Sequence, residues 1–354
     1  MKIDSGIPAG SATPAFSVLV AAYNQAEYVC DTLDTVAAQS CADWELVVVN
    51  DGSTDDSEAR LLRWVEEFRR THPNNRVIFH SIENSGQSAA LEYAFELSSG
   101  RWVALLDSDD RWLPGKLEAV LRLVTEDPSA GTVVHPMYVI DGEGRRTGDV
   151  RPKRAKLAEG DLREQIRRTS RHVAPATSAV VIRADVFREL VPMPTKRFRT
   201  AADAYLTMGS YLLAPVRALA EPLAEYRMHA NGNHIRTMLS ADGLRKWVEL
   251  QEVLATHFGL ERVAGRNSYF LRHVFALSKL EGSVGAQASS YARLARATWG
   301  DESFGVREKV MFTGYWTACL VAPPPLFRKL WRIFQLKQTG FDKIGLSATA
   351  RSGM

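Results

Sequence analysis

The 354-residue chain lacks the features that would assign it to several large classes of protein. It has three cysteines, Cys30, Cys41 and Cys319, which are odd in number and lack zinc-ligand spacing. We therefore expect a reducing, cytoplasmic environment rather than a disulfide framework or a cysteine zinc site. A net charge of +3 gives no support for binding to nucleic acid. Residues 1–14 lack the apolar core of a signal peptide and are predicted to be a disordered leader.

Further absences narrow the possible functions. The apolar segment Phe16–Ala22 continues as Tyr23-Asn24-Gln25-Ala26, without the G-x-G-x-x-G turn of dinucleotide-dependent oxidoreductases. The glycine-rich, basic phosphate loop that is usual in nucleotidyltransferases is also missing at this point. The apolar run 310–322 is shorter than the about 20 residues that cross a bilayer.

The first half of the chain does contain a regular alternation of strand and helix patterns. Apolar runs rich in β-branched residues occupy 16–22, 44–49, 76–80 and 102–106, and an amphipathic helix pattern follows each of the first three. A hydrophobic content of 45% supports a substantial core. The alternation predicts an α/β fold with a doubly wound, mostly parallel sheet flanked by helices.

Carboxylates cluster at the end of the fourth predicted strand, where the chain reads Asp107-Ser108-Asp109-Asp110. Open α/β sheets bind their ligands at the carboxyl ends of the strands. Acidic side chains this close together repel one another unless a cation or a proton intervenes. A divalent cation that holds a phosphorylated ligand is one explanation, and a solvated acidic turn is the other.

Four segments resemble, in the expected order, the motifs of the inverting family 2 glycosyltransferases, which have the GT-A fold. They are VLVAAYN at 18–24, ELVVVNDGSTD at 45–55, ENSGQSAAL at 83–91 and LLDSDDRWLPGKL at 105–117. The resemblance extends over roughly residues 14–235, so it implies a GT-A domain at 15–235. The region 236–354 looks helical and resembles no family that we can name.

The resemblance implies a site for a nucleoside-diphosphate sugar, with a UDP-sugar as the default donor. Tyr23 would flank the base, the backbone of Ala21 would line the pocket, and Asp51 would accept a hydrogen bond from a base nitrogen. The Gly86-Gln87 turn would let the nucleotide approach the backbone closely, since glycine tolerates such contacts. Each residue also has a plainer interpretation: a strand-end aromatic, a turn aspartate and a helix-capping turn.

The resemblance also implies Mg²⁺ or Mn²⁺, which would stabilise charge on the departing diphosphate through oxygen ligands. Asp109 would ligate the metal, and Asp107 would contact the ribose or reach the metal through water. Farther along, Glu225-Tyr226-Arg227-Met228-His229 resembles a Tyr-Arg-X-His segment. His229 would reach the metal or the diphosphate and Arg227 would offset phosphate charge; surface or packing roles are the alternatives.

Inverting transfer needs a base that takes the proton of the acceptor hydroxyl. In the family this is an aspartate that opens a helix, and Asp203 in Arg199-Thr200-Ala201-Ala202-Asp203 is the best match. The chain departs from the pattern at Ala202, where an acid is usual. The other interpretation of Asp203 is a first-turn carboxylate that interacts with the helix dipole.

The acceptor is not specified beyond a carbohydrate or lipid-linked hydroxyl, as in cell-surface polysaccharide or lipopolysaccharide synthesis. Residues 326–337 interleave large apolar side chains with four cations. This pattern fits either an interfacial helix at the inner face of the membrane or a helix packed on the protein. A scaffold that binds nucleotide sugars without turnover and a sugar nucleotidyltransferase remain alternative functions, and nothing indicates an oligomeric state.

Overall fold

The computed structural model describes residues 2–4, 13–73, 75–152, 157–169, 175–196, 199, 202–229, 240–264, 267–302 and 304–339. The chain divides into two compact units, residues 1–163 with 172–228 and residues 164–171 with 229–354. The predicted domain boundary between 235 and 236 lies outside the described residues.

The strands are β1 Lys2–Asp4, β2 Phe16–Ala22, β3 Trp44–Asp51, β4 Val77–Ile82, β5 Trp102–Asp107, β6 Arg111–Trp112, β7 Thr132–Val134, β8 Met137–Ile140, β9 Arg146–Arg151, β10 Val180–Arg183, β11 Val216–Ala218 and β12 Ala224–Arg227. The helices are α1 Val29–Ala37, α2 Ser57–Thr71, α3 Gln87–Glu96, α4 Lys116–Glu126, α5 Arg163–Thr169, α6 Ala184–Arg188, α7 Ala202–Leu213, α8 Ala241–His257, α9 Glu261–Ala264, α10 Ser268–Glu281, α11 Val284–Gly300, α12 Val306–Val321 and α13 Pro324–Thr339.

The first unit is built on an eight-stranded sheet of order β1-β4-β3-β2-β5-β10-β7-β11. Strands β4, β3, β2 and β5 are mutually parallel, as the strand–helix alternation predicts. Strand β10 runs antiparallel to both β5 and β7. The carboxyl ends of β2, β3, β4 and β5 therefore meet at one edge, together with the residues that precede β10.

Strand β2 shows why the central strands read as continuous apolar runs. Phe16, Val18 and Val20 pack in one cluster with the buried faces of α1, α2 and α4. Leu19 is fully buried and, because side chains alternate along a strand, faces the opposite layer, where α3 packs on β2 and β3. Helices thus cover both faces of the sheet.

A second sheet of order β6-β12-β8-β9 lies in the same unit. Strand β6 directly follows the acidic cluster and pairs antiparallel with β12, with Arg111 opposite Glu225 and Trp112 opposite Ala224. This pairing brings the end of β12, and with it Arg227, to the acidic segment 107–110.

Residues Lys2–Asp4 pair antiparallel with His80, Phe79 and Ile78 of β4. This differs from the disordered leader predicted for 1–14, because the open edge of β4 offers backbone donors and acceptors that a short strand can pair with. Residues 1 and 5–12 of the predicted leader lie outside the described part of the chain.

The second unit is helical, as the composition of 236–354 predicts. Its core is an aromatic and aliphatic cluster that includes Phe275, Trp316, Phe327 and Trp331. Helices α12 and α13 pack against each other: the Trp316 and Trp331 rings lie 6.4 Å apart, and the Tyr315 hydroxyl donates to the Leu330 carbonyl at 2.9 Å. Among the described residues, no helix has both the length and the apolar character needed to cross a membrane.

Candidate active site

The loop after β2 is held by the loop after β3. Asn24 has a positive φ of 53° and its side-chain oxygen accepts from the Thr54 N–H at 2.8 Å. In return, the N–H of Asn24 donates to the Ser53 hydroxyl at 3.0 Å and the N–H of Gln25 to the Ser57 hydroxyl at 2.8 Å. These bonds fix the segment that carries Tyr23, whose side chain is 46% exposed at the edge of the sheet.

Asp51 connects the end of β3 to the glycine turn that opens α3. One carboxylate oxygen accepts from the Ser85 N–H at 2.7 Å and the other from the Gly86 N–H at 2.9 Å. Gly86 has a φ of +93°, a conformation that side chains rarely adopt. Asp51, which is 3% exposed, thus shapes the turn, and a base nitrogen would have to use its remaining lone pairs.

Asp107 ends β5 beside β2, with Ala21 opposite it in the strand register. Its carboxylate accepts from the Gln87 side-chain amide at 3.0 Å, so the first residue of α3 contacts the acidic cluster directly. Ala21, Asp51, Gly86, Gln87 and Asp107 therefore lie along one edge, as their predicted roles require.

Burial and mutual repulsion raise the pKa of both Asp107 and Asp110 in the cluster. Burial, followed by the negative charges of Asp109 and Asp203, raises the pKa of Asp107 to about 8. Burial also raises the pKa of Asp203, which opens α7 and whose carboxylate accepts from the Ala204 N–H at 2.8 Å. The sheet edge thus brings the predicted base close to the acids at the end of β5, although they are about a hundred residues apart in sequence.

A buried carboxylate at the amino end of β3 has a different set of partners. Glu45, at the start of β3, is 1% exposed and accepts from Arg76 at 2.5 Å, from the Ser17 hydroxyl at 2.6 Å and from the Gly100 N–H at 3.1 Å. Its charge is neutralised by a cation within hydrogen-bond distance. The groups that act on Asp107 are an amide, the Thr177 side chain and two carboxylates, which is an environment suited to an arriving cation.

Ser178 links the two ends of the acidic segment from the turn that precedes β10. Its hydroxyl accepts from the Asp107 N–H at 3.0 Å and donates to the Asp110 carboxylate at 2.6 Å. Its carbonyl accepts from the buried Lys116 ammonium at 2.6 Å and from the Trp112 indole at 2.9 Å. Trp112, 2% exposed, is part of the core beneath the site.

Arg227 is occupied by protein groups. Its guanidinium donates to the Asp109 carbonyl at 2.7 Å, the Gly142 carbonyl at 3.1 Å and the Asp31 carboxylate at 2.6 Å. Its backbone N–H donates to Asp110 at 2.8 Å. These contacts make Arg227 one of the residues that hold the acidic segment, and its role toward phosphate stays a prediction.

The carboxylates of the acidic segment fit a metal ion that binds together with a phosphorylated ligand. Among the described residues, no group of three or more acids, histidines or cysteines is arranged to hold a metal ion. Asp110 is turned toward Ser178 and Arg227, whereas Asp107 and Asp109 are partly exposed. Mg²⁺ and Mn²⁺ commonly take one or two carboxylates and complete their shell with phosphate oxygens and water. The acidic segment is suited to that mode of binding.

His229 follows β12 by two residues and is 8% exposed. It belongs to the second compact unit, so its predicted role toward the metal stays a prediction.

Sequence reasoning missed Ser178, Lys116 and Asp31 as parts of this site. Ser178 lies 68 residues from its partner Asp110, and Asp31 lies 196 residues from Arg227. In the sequence, Asp31 looks like an ordinary first-turn acid of α1. The sequence carries no local signal for either contact.

Comparisons with known proteins agree with this geometry. Residues 17–190 match the model of glycosyl transferase family 2. A glycosyltransferase of Nostoc sp., uncharacterized by its name, is 32% identical over 221 residues, which is 62% of this chain and 66% of that protein. Bacillus subtilis TuaG, named for teichuronic acid biosynthesis, is 38% identical over 113 residues, 32% of this chain and 43% of TuaG. The chain thus spans less than two thirds of the length of either relative.

Solved structures share the fold. A crystal structure of S. aureus TarS 1-349 aligns with a TM-score of 0.55 at 19% identity, covering 92% of this chain and 91% of that one. The mannosyltransferase PcManGT from Pyrobaculum calidifontis aligns with a TM-score of 0.52 at 18% identity, covering 98% and 91%. The α/β prediction is confirmed as a GT-A fold with a C-terminal helical region. Residues 17–190 form a domain of glycosyl transferase family 2.

Proposed function

We propose that this protein transfers a sugar, with inversion, from a nucleoside-diphosphate sugar to an acceptor hydroxyl and uses Mg²⁺ or Mn²⁺ carried by the donor. The observation behind the proposal is the shared sheet edge, which carries Asp51, Asp107 and Asp109 and where Asp203, in the first turn of α7, is close enough to Asp107 to raise its pKa. Each part of the reaction then has a candidate group within one compact unit.

Donor binding is assigned to the edge formed by β2, β3 and α3. Tyr23 offers an exposed ring for the base, Asp51 a hydrogen-bond acceptor, and the Gly86-Gln87 turn a close backbone approach. In support, TarS has been crystallised with UDP-GlcNAc and PcManGT with GDP-Man and Mn²⁺. A UDP-sugar is the first donor to test.

The metal is assigned to Asp109, with Asp107 as a second carboxylate or as a contact to the ribose. When bound, the cation would stabilise the charge that develops on the nucleoside diphosphate. The raised pKa of Asp107 supports this assignment, because a cation at this point would relieve the repulsion among the three carboxylates.

Asp203 is assigned as the base that takes the acceptor proton. It opens a helix beside the acidic segment, and a carboxylate with a raised pKa is a better proton acceptor than a fully solvated one. The acceptor itself is proposed to be a carbohydrate or a lipid-linked sugar of the cell surface, in a cytoplasmic reaction. TuaG, named for teichuronic acid biosynthesis, is the relative that favours this class.

The base is tested with Asp203→Asn against Asp185→Asn. Asp185 is also a first-turn aspartate, at the start of α6, and its carboxylate likewise accepts from the next N–H at 2.8 Å. We expect Asp203→Asn to bind donor normally and to lose roughly 10²–10⁴-fold in turnover, while Asp185→Asn keeps its activity. Near-normal turnover by Asp203→Asn would remove this residue from the mechanism.

The products formed with Mn²⁺ distinguish a glycosyltransferase from a sugar nucleotidyltransferase and from an inactive scaffold. A glycosyltransferase releases a nucleoside diphosphate, a sugar nucleotidyltransferase consumes or releases pyrophosphate, and an inactive scaffold releases neither. We expect nucleoside diphosphate from the wild type and a loss of at least tenfold in Asp109→Ala. NMR of the product then gives the anomeric configuration, and retention would refute the inverting mechanism.

A further inference from the structure

The pair of helices α12 and α13, here called the hairpin, exposes more apolar surface than its own packing requires. Its inner side is complete, with Trp316, Cys319, Phe327 and Trp331 all buried in the core of the second unit. On its outer side, the exposed large apolar residues are Val306 at 72%, Val310 at 56%, Met311 at 59%, Val321 at 78%, Leu326 at 47% and Ile333 at 42%.

Two of these exposed residues, Val321 and Leu326, flank the turn. Val321 ends α12, Leu326 lies in the first turn of α13, and the three exposed prolines Pro323, Pro324 and Pro325 join them. The outer positions of α12 from residue 310 onward are Val310, Met311, Gly314, Thr317, Ala318 and Val321, all of which are uncharged. Exposed apolar residues grouped in this way at a turn mark an interaction site more often than scattered single residues do.

Charge along the hairpin is strongly biased. Residues 309–341 contain five cations and no acid. Arg328 and Lys329 are exposed one turn behind Leu326. The nearest acid on α12 is Glu308, which the helix places about 20 Å from Val321, and Asp301 and Glu302 precede the helix.

We infer that the turn of the hairpin binds the surface of an anionic phospholipid bilayer. The apolar residues at 321–326 would enter the boundary between headgroups and acyl chains, and Arg328 and Lys329 would lie at the depth of the phosphates. Polybasic segments beside an inserted apolar group are attracted to the negative charge of such a surface.

The cations also favour lipid over a second copy of the chain. In a two-fold dimer whose axis passes at the turn, the turns of the two copies face each other, so their cations would be brought together. Like charges at that range repel, whereas an anionic headgroup layer neutralises both. The inference does not rest on the proposed activity, because membrane binding is measured in the absence of donor and acceptor.

The experiment measures co-sedimentation of the full chain with vesicles of phosphatidylcholine alone or mixed with phosphatidylglycerol. Val321→Glu is compared with Val284→Glu, since Val284 is equally exposed at 82% but begins α11, away from the hairpin. We expect Val321→Glu to lower binding to the mixed vesicles by about tenfold or more and Val284→Glu to leave it unchanged.

The charge contribution is tested with Arg328→Gln/Lys329→Gln against Arg293→Gln/Arg296→Gln, a pair of exposed cations on α11. We expect a loss of roughly 30-fold for the first pair, with weaker binding in high salt, and no loss for the second. Equal binding by all variants would overturn the inference. Sedimentation velocity that shows a dimer dissociated by Val321→Glu, with no vesicle binding, would overturn it as well and assign the face to a second copy.

Discussion

Asp107 should weaken the fold that carries it, and Asp107→Asn tests this directly. Its pKa rises from an ordinary value of 3.8 to about 8, so the folded protein binds this proton more tightly than the unfolded chain does. The wild type therefore loses stability as the pH rises from about 4 to about 8. Asparagine keeps the shape and an oxygen that can accept from Gln87, but it cannot ionise.

The magnitude follows from the size of the pKa shift. Each pKa unit is worth about 1.4 kcal/mol, so at pH 7, where the folded protein keeps this proton and the unfolded chain has lost it, Asp107 costs roughly 4 kcal/mol as an upper limit. Asp107 keeps partial access to water, so we expect about half of this, a gain of about 2 kcal/mol for Asp107→Asn. For a unit of this size the gain is roughly 4–8 °C in Tm.

The assay is unfolding, by heat and by urea, between about pH 4 and pH 8. The gain from Asp107→Asn should be near zero at the acid end and should grow toward pH 8. Asp51→Asn is the matched control and should have the opposite sign, because an amide offers one oxygen where the carboxylate accepts from both Ser85 and Gly86. A gain that is absent at pH 8, or equal at both ends, would refute the account of the cluster.

Other predictions concern the groups around Asp107. At pH 7, binding of donor with Mn²⁺ should release up to about one proton per complex. The release is measured from the dependence of the calorimetric binding enthalpy on the buffer, and Asp107→Asn should abolish it. Ser178→Ala should cost roughly 1–3 kcal/mol and lower turnover, whereas Ser210→Ala, a buried serine bonded within α7, should change little; equal effects would remove Ser178 from the site. Arg227→Lys should destabilise the protein by about 2 kcal/mol in urea, against at most about 1 kcal/mol for Arg146→Lys, whose side chain is 48% exposed.

The parallel half of the sheet could be predicted from the sequence because its signals are local. Four apolar runs and the helices between them fix β2, β3, β4 and β5, and the polar residues that end these strands must share an edge. The cluster that contains Asp107 was found by that rule, and Asp51, which the resemblance named, lies at the same edge because it also ends a parallel strand.

The rule fails where the chain runs the other way. Strand β10 is antiparallel to β5, so the edge that carries the acids receives the residues before β10 rather than those after it. Ser178 enters the site from that direction, and no strand-end rule locates it. The sequence indicated Arg227 but not its partners Asp31 and Gly142, because the second sheet, which carries Arg227 on β12, brings it to them.

Gly86 imposes a constraint that extends beyond the turn it forms. A Cβ at this position would lie 2.6 Å from the Arg199 carbonyl oxygen, and Arg199 itself donates to the Asn84 carbonyl at 3.0 Å. A side chain at position 86 would therefore require Arg199, four residues before Asp203 in the sequence, to move. Under the proposed roles of the turn and of Asp203, substitutions at the donor turn are expected to be accompanied by substitutions near the base.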